Sequence, residues 1–199
     1  MLSRIYRLVA ALSLLAVLVG TGHAIDLYSD NFDGSNANNL NGTTPDISLS
    51  GFNWTGETSA DAWKADGSKS VNGNSHAYLP FKPLPGNIYT LSATVNPDIS
   101  GSSDWFAIGF SQSSNVGGSW QGAPNNAVAW MLNREDDASA SPVQSFLGPV
   151  TAGGANHAAP VGPVDMQVVL NTQGANWTTE WFVDGSSVRG PVAFATNPS

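Results

Sequence analysis

The stretch VDMQVVLNTQGANWTTEWFVDGSSVRG, from Val164 to Gly190, decides the fold. Val164, Met166, Val168 and Leu170 recur at every second position. Asp165, Gln167 and Asn171 fall on the other side, with Val169 among them. Trp177, Thr179, Trp181 and Val183 repeat the order against Thr178, Glu180, Phe182 and Asp184. A period of two in β-branched and aromatic residues marks strands. Asn171–Asn176 is a polar turn. Asp184-Gly185 starts a tighter one, because glycine reaches positive φ at little cost. The stretch predicts an antiparallel meander of strand, turn, strand, tight turn and short strand.

The same order extends outward. Asn87–Asn96 (NIYTLSATVN) alternates cleanly, with Tyr89, Leu91, Ala93 and Val95 on one side. Ile88, Thr90, Ser92 and Thr94 lie on the other, and Pro97 ends the run. Asp104–Ser111 is a further strand with Phe106, Ile108 and Phe110 on one side. Gly109, opposite them, offers close approach to another backbone or a ligand. Ala127–Arg134 (AVAWMLNR) is apolar almost throughout, which suits a buried strand or a turn and a half of helix. Its length and neighbours favour strand. Ile25–Phe32, Val143–Leu147 and Ala77–Phe81 read as strands, the last an edge strand because of Pro80. Phe52–Thr55 and Ala62–Lys64 are short strands or bends, and Pro191–Phe194 begins another strand. Ser35–Ser50 reads as a loop with little core, and Gly148–Gly162 as a loop. About ten strands, with no amphipathic helix after the N-terminal segment, predict an all-β sandwich or jelly roll.

The first residues are set apart. Arg4 and Arg7 precede Leu8–Gly20, an apolar core of 13 residues. That is short for a membrane span and right for a signal-peptide helix. Gly22-His23-Ala24 supplies small residues for cleavage after Ala24. Residues 1–24 are thus expected to be a signal peptide, and 25–199 one domain that is secreted or held at the cell surface. An uncleaved anchor is the alternative.

After that cleavage five basic residues face 15 acidic ones, a formal charge of −10. Such a surface repels phosphate backbones and anionic lipid heads, which argues against nucleic acid and membrane surfaces as partners. The chain has no cysteine. Thiol chemistry and cysteine-based zinc sites are excluded, and stability has to come from the core.

Several segments resemble a known family. Trp181-Phe182-Val183-Asp184-Gly185 followed by Ser187-Val188-Arg189 is similar to the strand–turn–strand segment of laminin-G-like, concanavalin A-type jelly rolls. Ser29–Gly34, Tyr78-Leu79-Pro80-Phe81, Asn87–Ala93 and Phe146-Leu147-Gly148-Pro149 look like a bacterial subset of these, secreted proteins of the PEP-CTERM sorted class. The likeness covers most of Ile25–Ser199. It implies a two-sheet antiparallel jelly roll whose opening strand pairs with a closing strand near the C-terminus. It also implies a sorting tail. Neither follows Ser199, so the expectation is a chain truncated before its closing strand.

Jelly rolls of this kind include lectins, calcium-binding adhesion modules and glycoside hydrolases. The laminarinase-like hydrolases carry a Glu-x-Asp-x-x-Glu strand. Here Glu135 and Asp137 begin that pattern, but Ala140 stands in the last place, and retaining hydrolysis needs two carboxyl groups about 5–5.5 Å apart. Glu180 and Asp184 are four strand positions apart, about 13 Å. The expectation is therefore no catalytic residue. A glycoside hydrolase-like jelly roll with a degenerate or unrecognised site is the alternative, and a structural envelope protein without a small ligand is the second.

Sugar binding is the sharper expectation, with an extracellular polysaccharide as partner. Trp120 lies in the loop Gly117–Gly122 with no apolar neighbour to pack on, and is the candidate stacking platform. Asn125, Asn126 and Arg134 are candidates for polar contacts. Calcium takes six to eight oxygens, and Asp30, Asn31 and Asp33 are the candidate ligands. His76 and His157 read as unrelated loop residues.

Overall fold

The computed structural model describes residues 24–32, 36–56, 64–65, 76–95, 106–112, 127–134, 142–148, 154–160 and 162–198, with backbone alone at 36–39 and 64–65. The described residues form strands and no helix. In chain order the strands are β1 (Tyr28–Ser29), β2 (Asn36–Asn39), β3 (Ile47–Ser48), β4 (Thr55–Gly56), β5 (Lys64–Ala65), β6 (Ala77–Tyr78) and β7 (Ile88–Val95). They continue with β8 (Phe106–Ser111), β9 (Ala127–Asn133), β10 (Val143–Leu147), β11 (Ala155–His157), β12 (Val164–Asn171), β13 (Thr178–Val183) and β14 (Ser186–Ala193).

Two antiparallel four-stranded sheets dominate, ordered β11-β10-β9-β8 and β14-β13-β12-β7. They share one core, giving a sandwich-like all-β fold. Val95, Met131, Val143, Met166, Val168 and Trp181 are buried together in it. The alternating side chains explain the arrangement, because only one face of β7, β12 and β13 is apolar enough to leave water. The hairpin of β12 and β13 has the predicted phase, with Val168 opposite Trp181 and Leu170 opposite Thr179. At its far end Asp184 (φ 47°) and Gly185 (φ 74°) form the tight turn into β14.

Three contacts tie the sheets together. The Trp181 indole N–H donates to the Trp130 carbonyl at 3.0 Å, from β13 to β9. Arg189 on β14 donates to the Ser145 carbonyl on β10 at 2.7 Å. On the opposite side the Phe81 ring lies 5.3 Å from that of Tyr89 and 5.5 Å from that of Phe110, centroid to centroid.

β9 lacks alternation because both its faces are covered. Ala129 and Met131 face the shared core. Trp130 and Leu132 build a second, smaller core with Ala127 and Phe146. There the Trp130 and Phe146 rings stack at 4.0 Å, nearly parallel. Gly109 serves this packing. A Cβ on it would lie 2.4 Å from the Trp130 Cβ, so the close neighbour is the adjacent strand.

Some segments differ from expectation. Ile25–Phe32 narrows to two strand residues. Ile25 is 72 % exposed, and Phe32 at φ 55° turns the chain away. β1 pairs with β3, Ser29 opposite Ile47. Ser35–Ser50 is more than loop, since it holds β2 and β3, and Leu40 is buried. The segment Gly148–Gly162 contains β11, whose His157 is paired with Val143. Ser187–Arg189 and Pro191–Ala193 belong to one strand, β14, with a register shift against β13 between them.

Candidate functional site

The strand ends at one pole of the sandwich enclose a cleft. β8 finishes with Ser111 opposite Ala127, the first residue of β9. β10 finishes with Leu147 opposite Ala129, and Gly148 then donates its N–H to the Val128 carbonyl at 2.9 Å. After β14, the Phe194 N–H bonds the Trp177 carbonyl at 3.0 Å and brings the chain back across this pole. Asn197 fixes the returning segment from both ends of its amide. Its Oδ1 accepts from the Trp177 N–H at 2.8 Å, and its Nδ2 donates to the Ala175 carbonyl at 2.9 Å.

The space between these strand ends and the returning segment is about 350 Å³ and broadly open to solvent. Its apolar wall is Ala127, Val128, Leu147, Phe194 and Pro198. Its polar groups are Gln112, Thr196, Asn197 and the Gly148 backbone, of which the Asn197 amide and the Gly148 backbone are bonded within the protein, the Gly148 carbonyl accepting from the Trp130 indole N–H at 3.0 Å. Among the described residues, none that lines it carries a charged side chain. The exposed Thr196 hydroxyl can both donate and accept a hydrogen bond, which suits a neutral polar ligand.

The predicted sugar residues relate to this cleft unequally. Trp120, Asn125 and Asn126 lie outside the described residues. The segment that contains them leaves from Gln112 and returns at Ala127, and both of those line the cleft. Arg134 is described. It follows the opposite end of β9, where its N–H donates to the Pro142 carbonyl at 2.9 Å. A strand of that length spans about 23 Å, so Arg134 stands at the other pole, away from the Ala127 end of β9 that lines the cleft.

Of the calcium candidates, Asp33 lies outside the described residues. Asp30 has both carboxylate oxygens engaged by the protein. Oδ1 accepts from the Phe32 N–H at 2.8 Å, and Oδ2 from the Trp54 indole N–H at 2.7 Å. The Asn31 N–H donates to Asp46 Oδ2 at 3.1 Å. These bonds make Asp30 an organiser of the β1 turn. Among the described residues no three His, Asp or Glu side chains cluster for a metal.

A polar cluster that sequence reasoning missed sits between the sheets. Ser145 Oγ and His157 Nε2 are 2.7 Å apart, within reach of the two-residue pairing that activates serine nucleophiles. The surroundings are wrong for that chemistry. Ser145 is fully buried, so no substrate meets it. Arg189 stands beside the pair, with its guanidinium carbon 4.9 Å above the Trp181 ring. Burial, and secondarily the Arg189 charge, push the His157 pKa below its ordinary value. A neutral imidazole bonded to a buried hydroxyl is an internal tie between β10 and β11. Its sequence signal was weak, because a single histidine between Gly- and Ala-rich residues has no pattern to place it.

Family models, curated proteins and solved structures were each compared with this chain, and none matches it.

Proposed function

We propose that the chain is a secreted or cell-surface, non-catalytic binding module of the concanavalin A-like, laminin-G-like jelly-roll type, and that it engages extracellular polysaccharide. The observation that carries this proposal is the cleft at one pole of the sandwich, whose described lining is uncharged and includes Gln112 and Ala127, the residues that flank the segment bearing Trp120. An aromatic ring stacks on the apolar face of a pyranose while neighbouring amides and hydroxyls meet its hydroxyl groups. Residues 1–24 act as the export signal, with cleavage after Ala24.

Two measurements test this. N-terminal sequencing of the exported protein should begin at Ile25; retention of Met1 in the cytoplasmic fraction would refute export. Pull-down on insoluble polysaccharides should retain the wild type and lose at least tenfold in affinity, about 1.4 kcal/mol, with Trp120→Ala. Release of reducing ends during incubation would favour the hydrolase-like alternative instead. Absence of retention on every polysaccharide would favour a structural envelope protein.

A further inference from the structure

Resting on the binding function just proposed, we infer that the polar cleft is selective for uncharged saccharides and excludes glycans that bear uronate or sulfate. Three features of the molecule converge on this. The first is the lining itself. Among the described lining residues, Gln112 and Thr196 bring an amide and a hydroxyl beside Val128, Leu147 and Phe194, and none is a lysine, arginine or histidine. An ionised group entering this space would lose hydration against an apolar wall and gain no counter-charge, which opposes binding.

The second is the charge of the whole chain. Seven basic against 15 acidic residues leave a formal −8 even before any processing. The long-range field therefore slows the approach of polyanions and leaves neutral chains unaffected. The third is the position of the two arginines among the described residues. Arg134 is at the far pole, and Arg189 is turned inward onto Ser145 and Trp181. Neither is placed to rescue an anion in the cleft.

Thr196 marks the cleft for a test. It is exposed on the segment that Asn197 holds, so a larger side chain there fills the space without entering the core. A glycan array printed with neutral polysaccharides and with uronate- and sulfate-bearing ones is probed with the full chain and with Thr196→Trp. Circular dichroism of the variant serves as the check on folding. The expected result is binding to neutral glycans alone, weakened at least tenfold by Thr196→Trp. Binding to anionic glycans as strong as to neutral ones overturns the selectivity while the broader binding function stands. Neutral binding unchanged by a folded Thr196→Trp overturns the cleft as the site. No binding to any printed glycan overturns both the inference and the function it rests on.

Discussion

At Gly109 a single added methyl group would meet the Trp130 Cβ at 2.4 Å and the Ala129 carbonyl oxygen at 2.7 Å. Both are parts of the neighbouring strand and neither can swing aside. Gly109→Ala is expected to destabilise by about 1–3 kcal/mol through overpacking. A lower urea midpoint with an unchanged slope would show it. His157 gives a second residue-scale prediction. Its pKa is lowered from 6.5 in the folded protein, by burial first and Arg189 second. As pH falls below 6.5 the unfolded chain takes up the imidazole proton before the folded chain does. Stability is thus full above pH 6.5, declines as pH drops toward the depressed folded value, and levels off below it. His157→Gln retains a partner for Ser145 but has no such proton. The pH dependence of its denaturation midpoint between 6.5 and 5 should be flatter than that of the wild type.

At the scale of elements, the β12–β13 hairpin was legible and β11 was not, for one physical reason. Val164, Met166, Val168 and Leu170 announce their buried face within a few residues, because the signal is local. β11 is Ala155-Asn156-His157, too short to alternate. It is a strand only because Val143 on β10 accepts His157 as its partner. The cleft was illegible for a related reason. Gln112, Ala127, Gly148 and Thr196 are far apart in sequence and meet through strand register, and uncharged side chains give no chemical hint of a site. Trp120 could be singled out because an aromatic in a glycine-rich loop is locally anomalous. The turn between β13 and β14 tests the legible part. Gly185 has φ 74° and open space around its Cβ position. Gly185→Ala should therefore cost only the backbone penalty, about 1–2 kcal/mol. Asp184→Asn, also tolerant of positive φ and able to accept the Asp165 N–H bond seen at 3.0 Å, should leave the thermal midpoint within a degree or two.

Across the whole molecule the two large sheets divide the labour. The β14-β13-β12-β7 sheet has one wet face of Thr, Ser, Gln and Glu, as at Thr90, Ser92 and Glu180. The other large sheet is dry on both sides along β9, where all seven residues are buried. β9 is flanked by β8 and β10, so its backbone is also hydrogen-bonded along both edges. Neither solvent nor a local fluctuation of one face reaches its amides. Deuterium from heavy water can enter residues 127–133 only when the entire domain opens. Under native conditions these should be the last amides to exchange, at a rate set by global stability. Peptides from the exposed β1–β3 ribbon should exchange among the earliest.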